Sequence, residues 1–266
     1  MNIFSRAKSL FSFYKKAVPF NKIENPATSG LVKFLLEDHN CSCDSNTIEK
    51  VRKELLKSDK LIKITDYGAG SKYSKSQYRT VKSIAKTALS PRWQGKILHK
   101  LVQYFHCTTI VELGTSLGIS TAYLADGLYH GTVHTFEGDE NIANIAMQTF
   151  AALNLRNIKL VIGNFDVTLP VIANNIKKVD FAFIDGNHTF EATIKYFNLL
   201  AEKSHQDTIM VFDDIYWSEG MQKAWNEIKK DKRVKGSLDF YFFGIIFFSE
   251  RYKGHYKVIK RSLKPF

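Results

Sequence analysis

Apolar and polar positions along the chain follow two regimes that meet near residue 91. From residue 108 onward, short apolar runs of strand length recur: "TTIVEL" (108–113), "TVHTFE" (132–137), "IKLVIG" (158–163), "VDFAFID" (179–185) and "DTIMVFDD" (207–214). Between them, over 118–129, 139–154, 168–176, 189–203 and 218–231, apolar residues fall at helical spacing. Strands alternating with helices predict an α/β protein with a parallel sheet covered on both faces. The end of the chain breaks the alternation. "SLDFYFFGIIFFSERY" (237–252) holds two strands with almost no connection, and strands joined that tightly must run antiparallel. The expectation is a mostly parallel, seven-stranded sheet, made of five parallel strands and a terminal antiparallel hairpin.

Residues 1–90 read differently. "SNTIEKVRKELLKS" (45–58) has Ser45 as an expected N-cap and apolar residues at Ile48, Val51, Leu55 and Leu56, a helical spacing. "RTVKSIAKTALS" (79–90) and "WQGKILHKLVQYF" (93–105) read as helices separated by Pro91, and "DYGAGSKYSKS" (66–76) as a loop. The expected division is a helical, basic N-terminal segment over 1–90, capping the substrate side, and a catalytic domain over 91–266. The glycines of 66–72 are expected to form a lid.

Charge sharpens this division. Residues 1–90 hold 17 Lys and Arg against 8 Asp and Glu, a net of +9 out of +12 for the whole chain, whereas residues 101–155 contain no Lys or Arg. A basic segment can serve nucleic acid or an acidic membrane, but a solvated lysine-rich surface is the commoner case, and no aromatic–basic RNA motif accompanies it. No apolar run reaches the roughly 18 residues of a spanning helix, and the N-terminus lacks the h-region of a secretory signal. Cys41, Cys43 and Cys107 include no pattern with the about four ligands of a zinc site. They are expected to be reduced thiols in a cytoplasmic protein.

The chemistry begins at "IVELGTSLGIST" (110–121), a strand ending in an acid and a glycine turn. Neither the G-x-G-x-x-G fingerprint nor a P-loop lysine is present, and Glu112 would repel a phosphate. A ligand with a positive centre and no phosphate suits this turn. S-adenosylmethionine (SAM), with its sulfonium and ammonium, is such a ligand. Glu137 ends the next strand, where an acid can take both ribose hydroxyls of an adenosine. Two further strands end in acids, Asp185 in "FAFIDGNHTF" and Asp213 with Asp214 in "IMVFDDIYW". On neighbouring strands about 4.8 Å apart, these three carboxylates would converge and favour a hard divalent cation.

"ELGTSLGIS", "TFEGD", "GNFDVTLP" and "FIDGNH", each after a strand, resemble the Rossmann-like class I SAM-dependent methyltransferases, and among them the catechol and caffeoyl-CoA type O-methyltransferases and their bacterial relatives. The resemblance covers roughly residues 92–250. It implies that Glu112, Gly114, Thr115, Ser116, Gly118 and Ser120 hold the methionine part of SAM, Glu137 the ribose, and Asn164 and Phe165 the adenine, with Asp185 also bordering the cofactor. It implies a Mg²⁺ or other divalent ion on Asp185, Asp213 and Asp214, although Asp214 stands where those enzymes carry Asn. Their lysine base, three residues after the first Asp, is replaced by His188, which can take a hydroxyl proton near neutral pH or could instead cap the following helix. The absence of an N/D-P-P-Y motif in "DGNH" argues against amine methylation. Tyr216 and Trp217 are candidates for an acceptor pocket or for core, and His130 and His134 read as structural. The implied activity is metal-assisted O-methylation of a small-molecule hydroxyl. Its rivals are a metal-independent methyltransferase of the same fold and a nucleic-acid or membrane-surface protein that keeps the fold. A homodimer is the assembly carried forward.

Overall fold

The computed structural model describes residues 3–37, 43–65 and 77–259, so the expected lid over 66–72 lies outside the described residues. In chain order the elements begin with α1 (Ile3–Lys16), α2 (Pro26–Leu36), α3 (Ser45–Leu55), a short antiparallel hairpin of β1 (Leu61–Lys63) and β2 (Tyr78–Thr80), α4 (Val81–Ala88) and α5 (Arg92–Tyr104). The alternation then runs β3 (Thr109–Leu113), α6 (Ile119–Gly127), β4 (Thr132–Glu137), α7 (Glu140–Ala152), β5 (Ile158–Ile162), α8 (Phe165–Asn175), β6 (Phe181–Ile184), α9 (Phe190–Ala201), β7 (Ile209–Asp213) and α10 (Glu219–Ile228). It closes with β8 (Gly236–Asp239), β9 (Phe243–Phe247) and β10 (Gly254–Lys257). The chain divides into two compact units, one of residues 41–177 and one of residues 1–40 with 178–266.

In the unit of residues 41–177, β3, β4 and β5 are parallel neighbours in that order. Ile110, Val111, Leu113, Val133 and Phe136 are fully buried, as strands covered on both faces require. Helix α6 lies close against α5. A Cβ on Gly95 would stand 2.3 Å from the Tyr123 ring, and one on Gly127 would stand 3.0 Å from the His99 carbonyl. The residues before 91 pack here too. Ile48 of α3 joins Ile119, Ala122 and Tyr123 of α6, while Ile62, Val81 and Ile84 meet Leu117 and Ile145. The cap of α3 is Asp44, whose carboxylate accepts from the Thr47 N–H, not Ser45. Ser45 is buried inside the helix, where its hydroxyl accepts from the Arg92 guanidinium at 2.9 Å. The β1–β2 hairpin has no counterpart in the sequence reading, because three-residue strands carry too little pattern to register.

In the other unit the strand order is β10-β8-β9-β7-β6. Strands β6 and β7 are parallel, β9 is antiparallel to β7 and to β8, and β10 is parallel to β8. The terminal hairpin is therefore present, and β10 brings the described sheet strands to eight instead of seven. Residues 1–37 also contribute to this unit. Val18 bridges Val258 beyond the end of β10. Asn25, the cap of α2, donates through Nδ2 to the carbonyls of Arg251 and Lys253. Cys107 is a buried thiol. Cys43 is disulfide-bonded, which corrects the expectation of reduced thiols for that residue.

Candidate functional site

The glycine turn in the unit of residues 41–177 is built by backbone geometry that few side chains tolerate. Gly114 has φ 103°, Ser116 φ 48° and Gly118 φ 86°. The N–H groups of Gly114 and Thr115 both donate to the Phe136 carbonyl at the end of β4. Gly118 caps α6 from the left-handed region. A Cβ there would lie 2.6 Å from Phe150 Cε1, so conformation and space both call for glycine.

Glu137 is bound to the same turn. One carboxylate oxygen accepts from the Ser116 N–H at 2.8 Å and the other from the Asp139 N–H at 3.0 Å. Burial raises its pKa, partly opposed by those backbone donors. Asp139 caps α7 through the Ile142 N–H and also accepts from the Thr65 N–H. Asn164 caps α8 through the Asp166 N–H, and Phe165 follows it, half-buried. The turn, Glu137 and Asn164 thus stand at the C-terminal ends of β3, β4 and β5, the edge where ligands of open α/β sheets bind.

Glu112, expected to hold the methionine part of the donor, is sealed inside the protein. No part of it is exposed. Its Oε2 accepts from Thr121 Oγ1 at 2.5 Å and Thr135 Oγ1 at 2.7 Å, and Thr135 Oγ1 is 2.5 Å from Thr115 Oγ1. Among the described residues Oε1 has no further hydrogen-bond partner in the geometry, although Ser120 is near enough to help hold the charge. Burial pushes the carboxyl up to about 7, against the pull of the surrounding hydroxyls. Thr135 has no role in the sequence reading, since a threonine in a strand is ordinary.

The acids of the other unit sit at the ends of β6 and β7. Ile184 pairs with Phe212, so Asp185 and Asp213 are the next residues on neighbouring strands. His188 Nε2 is 3.6 Å from Asp185 Oδ1, with a quarter of the His188 side chain exposed. His188 does not cap α9. Thr189 does, accepting from the Ala192 N–H. Burial lowers the His188 pKa, with the Asp214 charge pulling it back up.

The expected convergence of Asp185, Asp213 and Asp214 is not found. Among the described residues no three His, Cys, Asp or Glu side chains gather as a metal centre. Successive strand residues point to opposite sides, and Asp214 turns the chain with φ 53° directly after β7. The donors suit a hard cation in type, but as a three-ligand set they do not fit one.

Tyr216 belongs to a network that only folding assembles. Its hydroxyl donates to Asp239 Oδ2 at 2.9 Å and accepts from Lys257 Nζ at 2.8 Å. Its ring stacks on Tyr241 at 4.7 Å, and the buried Phe13 of α1 meets both rings edge-on.

Comparison with known proteins gives this geometry its context. Residues 111–215 match a family model described as a methyltransferase domain. A catechol O-methyltransferase from Niastella koreensis is 28% identical over 156 residues, which cover 58% of this chain and 68% of that protein. An O-methyltransferase from Bacillus cereus, solved in complex with S-adenosylhomocysteine (SAH), superimposes with a TM-score of 0.58 at 23% identity, covering 76% of this chain and 90% of its own. An SAH-bound methyltransferase from Podospora anserina gives 0.57 at 14% identity, covering 84% and 96%. The solved structures establish the fold, and the matched domain spans the turn, Glu137 and the acids after β6 and β7. By its motifs, its fold and these relatives, the chain carries a methyltransferase domain over residues 111–215 and resembles the class I SAM-dependent O-methyltransferases.

Proposed function

We propose that the chain transfers the methyl group of SAM to a hydroxyl oxygen of a small molecule, with His188 as the general base. The observation that carries the choice of base is the His188–Asp185 pair at 3.6 Å, on a histidine freed from capping by Thr189. The acceptor oxygen attacks the methyl carbon, the S–CH₃ bond breaks, SAH leaves, and the hydroxyl proton passes to His188. The imidazolium then forms beside the Asp185 carboxylate, which stabilises the charge it gains. Burial keeps the imidazole neutral, and able to accept, at neutral pH. The glycine turn, Ser116, Ser120, Glu137, Asn164 and Phe165 are proposed to position the donor, and positioning supplies much of the acceleration in such a transfer.

A hydroxyl acceptor agrees with the relative named a catechol O-methyltransferase. Divalent-metal assistance is a separate part of the reading. What supports it is that Asp185 and Asp213 lie in register at the ends of β6 and β7, and the chelator arm of the test below decides it. A cytoplasmic location, a homodimer and a substrate-shaping role for residues 1–90 belong to the same proposal. The test is transfer of labelled methyl from SAM to a panel of phenolic and aliphatic hydroxyl compounds, with and without excess chelator. Transfer abolished by His188→Ala and retained in chelator would leave the metal-independent form of the reaction. Transfer to amine acceptors alone would overturn the proposal.

A further inference from the structure

The donor turn rests on a chain of hydroxyl groups whose direction is set by a single carboxylate. Thr135, on β4, is fully buried and has one hydroxyl proton. When Glu112 is ionised it can only accept, so Thr121 and Thr135 both donate to Oε2. Having spent its proton, Thr135 must accept from Thr115, 2.5 Å away in the turn itself. Thr115 is thereby fixed with its hydroxyl proton pointing inward. Protonation of Glu112 on Oε2 removes the acceptor at the head of this chain and lets it reverse.

We infer that Thr135 is a positioning residue that couples the ionisation of the sealed Glu112 carboxylate to the glycine turn, so that binding of the cationic donor at that turn is linked to loss of a proton from the protein. The inference rests on the donor site proposed above and adds to it a residue and a linkage. Glu112 is fully buried, so it would act on a cation in the turn through its field and not by contact.

The groups that face Glu112 are consistent with this direction. Thr135 on β4 and Ser120 and Thr121 on α6 supply hydroxyls that favour the ionised form, while Glu137, at the end of β4, supplies a like charge that opposes it. With burial the balance places the carboxyl at about 7, so a bound cation shifts it toward ionisation in the neutral range. Below that pH, donor affinity should fall by up to about tenfold per pH unit, and above it affinity should level off.

The probe is SAH, which keeps the ammonium group and is not consumed. Calorimetry of SAH binding from pH 5.5 to 8.5, in buffers of different ionisation enthalpy, reads both affinity and protons released. The wild type should release protons with a midpoint near pH 7, and Glu112→Gln should bind with a flat profile in that range. Thr135→Val removes a donor to the carboxylate and should move the midpoint upward, whereas Thr135→Ser should restore it. A purely structural threonine would change thermal stability and leave the midpoint in place. No proton release by the wild type, or the same midpoint in Thr135→Val and wild type, would overturn the inference. If Thr135→Val does not fold, the wild type against Glu112→Gln still decides the linkage, and Thr135→Ser against wild type still decides the hydroxyl. Failure of SAH to bind the wild type at any pH would instead refute the donor site.

Discussion

Substituting Gly118 by alanine tests the turn most directly, because its cost has two parts that can be separated. The first is conformational. Gly118 sits at φ 86°, where a side chain costs roughly 1–2 kcal/mol. The second is steric. The new Cβ would stand 2.6 Å from Cε1 and 3.2 Å from Cζ of Phe150, a nearly buried residue of α7, and 3.4 Å from the Ala146 Cα. Forcing that ring aside in a packed core costs about 1–3 kcal/mol. The sum, about 2–5 kcal/mol, corresponds to a fall in melting temperature of roughly 4–9 °C for a chain of this length. A Phe150→Ala background removes only the steric part, so a double-mutant cycle should show about 1–3 kcal/mol of coupling, read by chemical denaturation. Because Gly118 caps α6 within the turn, SAH affinity should fall alongside stability. An unchanged melting temperature in Gly118→Ala would refute the argument, and strict additivity with Phe150→Ala would refute its steric half.

Three other outcomes are expected. Glu137→Ala should weaken SAH binding by about 1–3 kcal/mol, the cost of leaving its polar partners unpaired, with little change for a ligand lacking the ribose, as measured by calorimetry. His188→Gln should lower kcat by roughly 10²–10⁴ without a matching loss of SAH affinity. Since burial lowers the His188 pKa below its ordinary 6.5 and the neutral ring is the base, the wild-type kcat at saturating SAM should stay level down to pH 6.5 and fall at lower pH, and a kcat already falling above pH 7 would contradict that assignment. Phe13→Ala should destabilise the protein by about 3 kcal/mol through loss of its contacts with Tyr216 and Tyr241, while SAH affinity at the turn is preserved.

What the sequence alone determined is what local pattern can encode. The five parallel strands were legible because each is a nearly continuous apolar run between helical stretches, which is the signature of burial on both faces. The antiparallel hairpin was legible because "FYFFGIIFF" leaves no room for a crossover. The glycine turn after β3 was legible because glycines after a strand-ending acid occupy fixed offsets. Tertiary structure decided the rest. Whether Asp213 and Asp214 aim together depends on one positive φ at the end of β7, not on their adjacency in the chain. Whether His188 caps a helix was settled when Thr189 took that role. Glu112 is charged at the sequence level, yet its proton affinity is set by burial and by Thr121 and Thr135, which lie 9 and 23 residues away. Phe13, Tyr216, Tyr241 and Lys257 meet only because β10 lies beside β8 and α1 returns to that side of its unit. Periodicity reports which face of an element is buried, whereas a side chain's charge and direction depend on neighbours that folding brings from elsewhere in the chain.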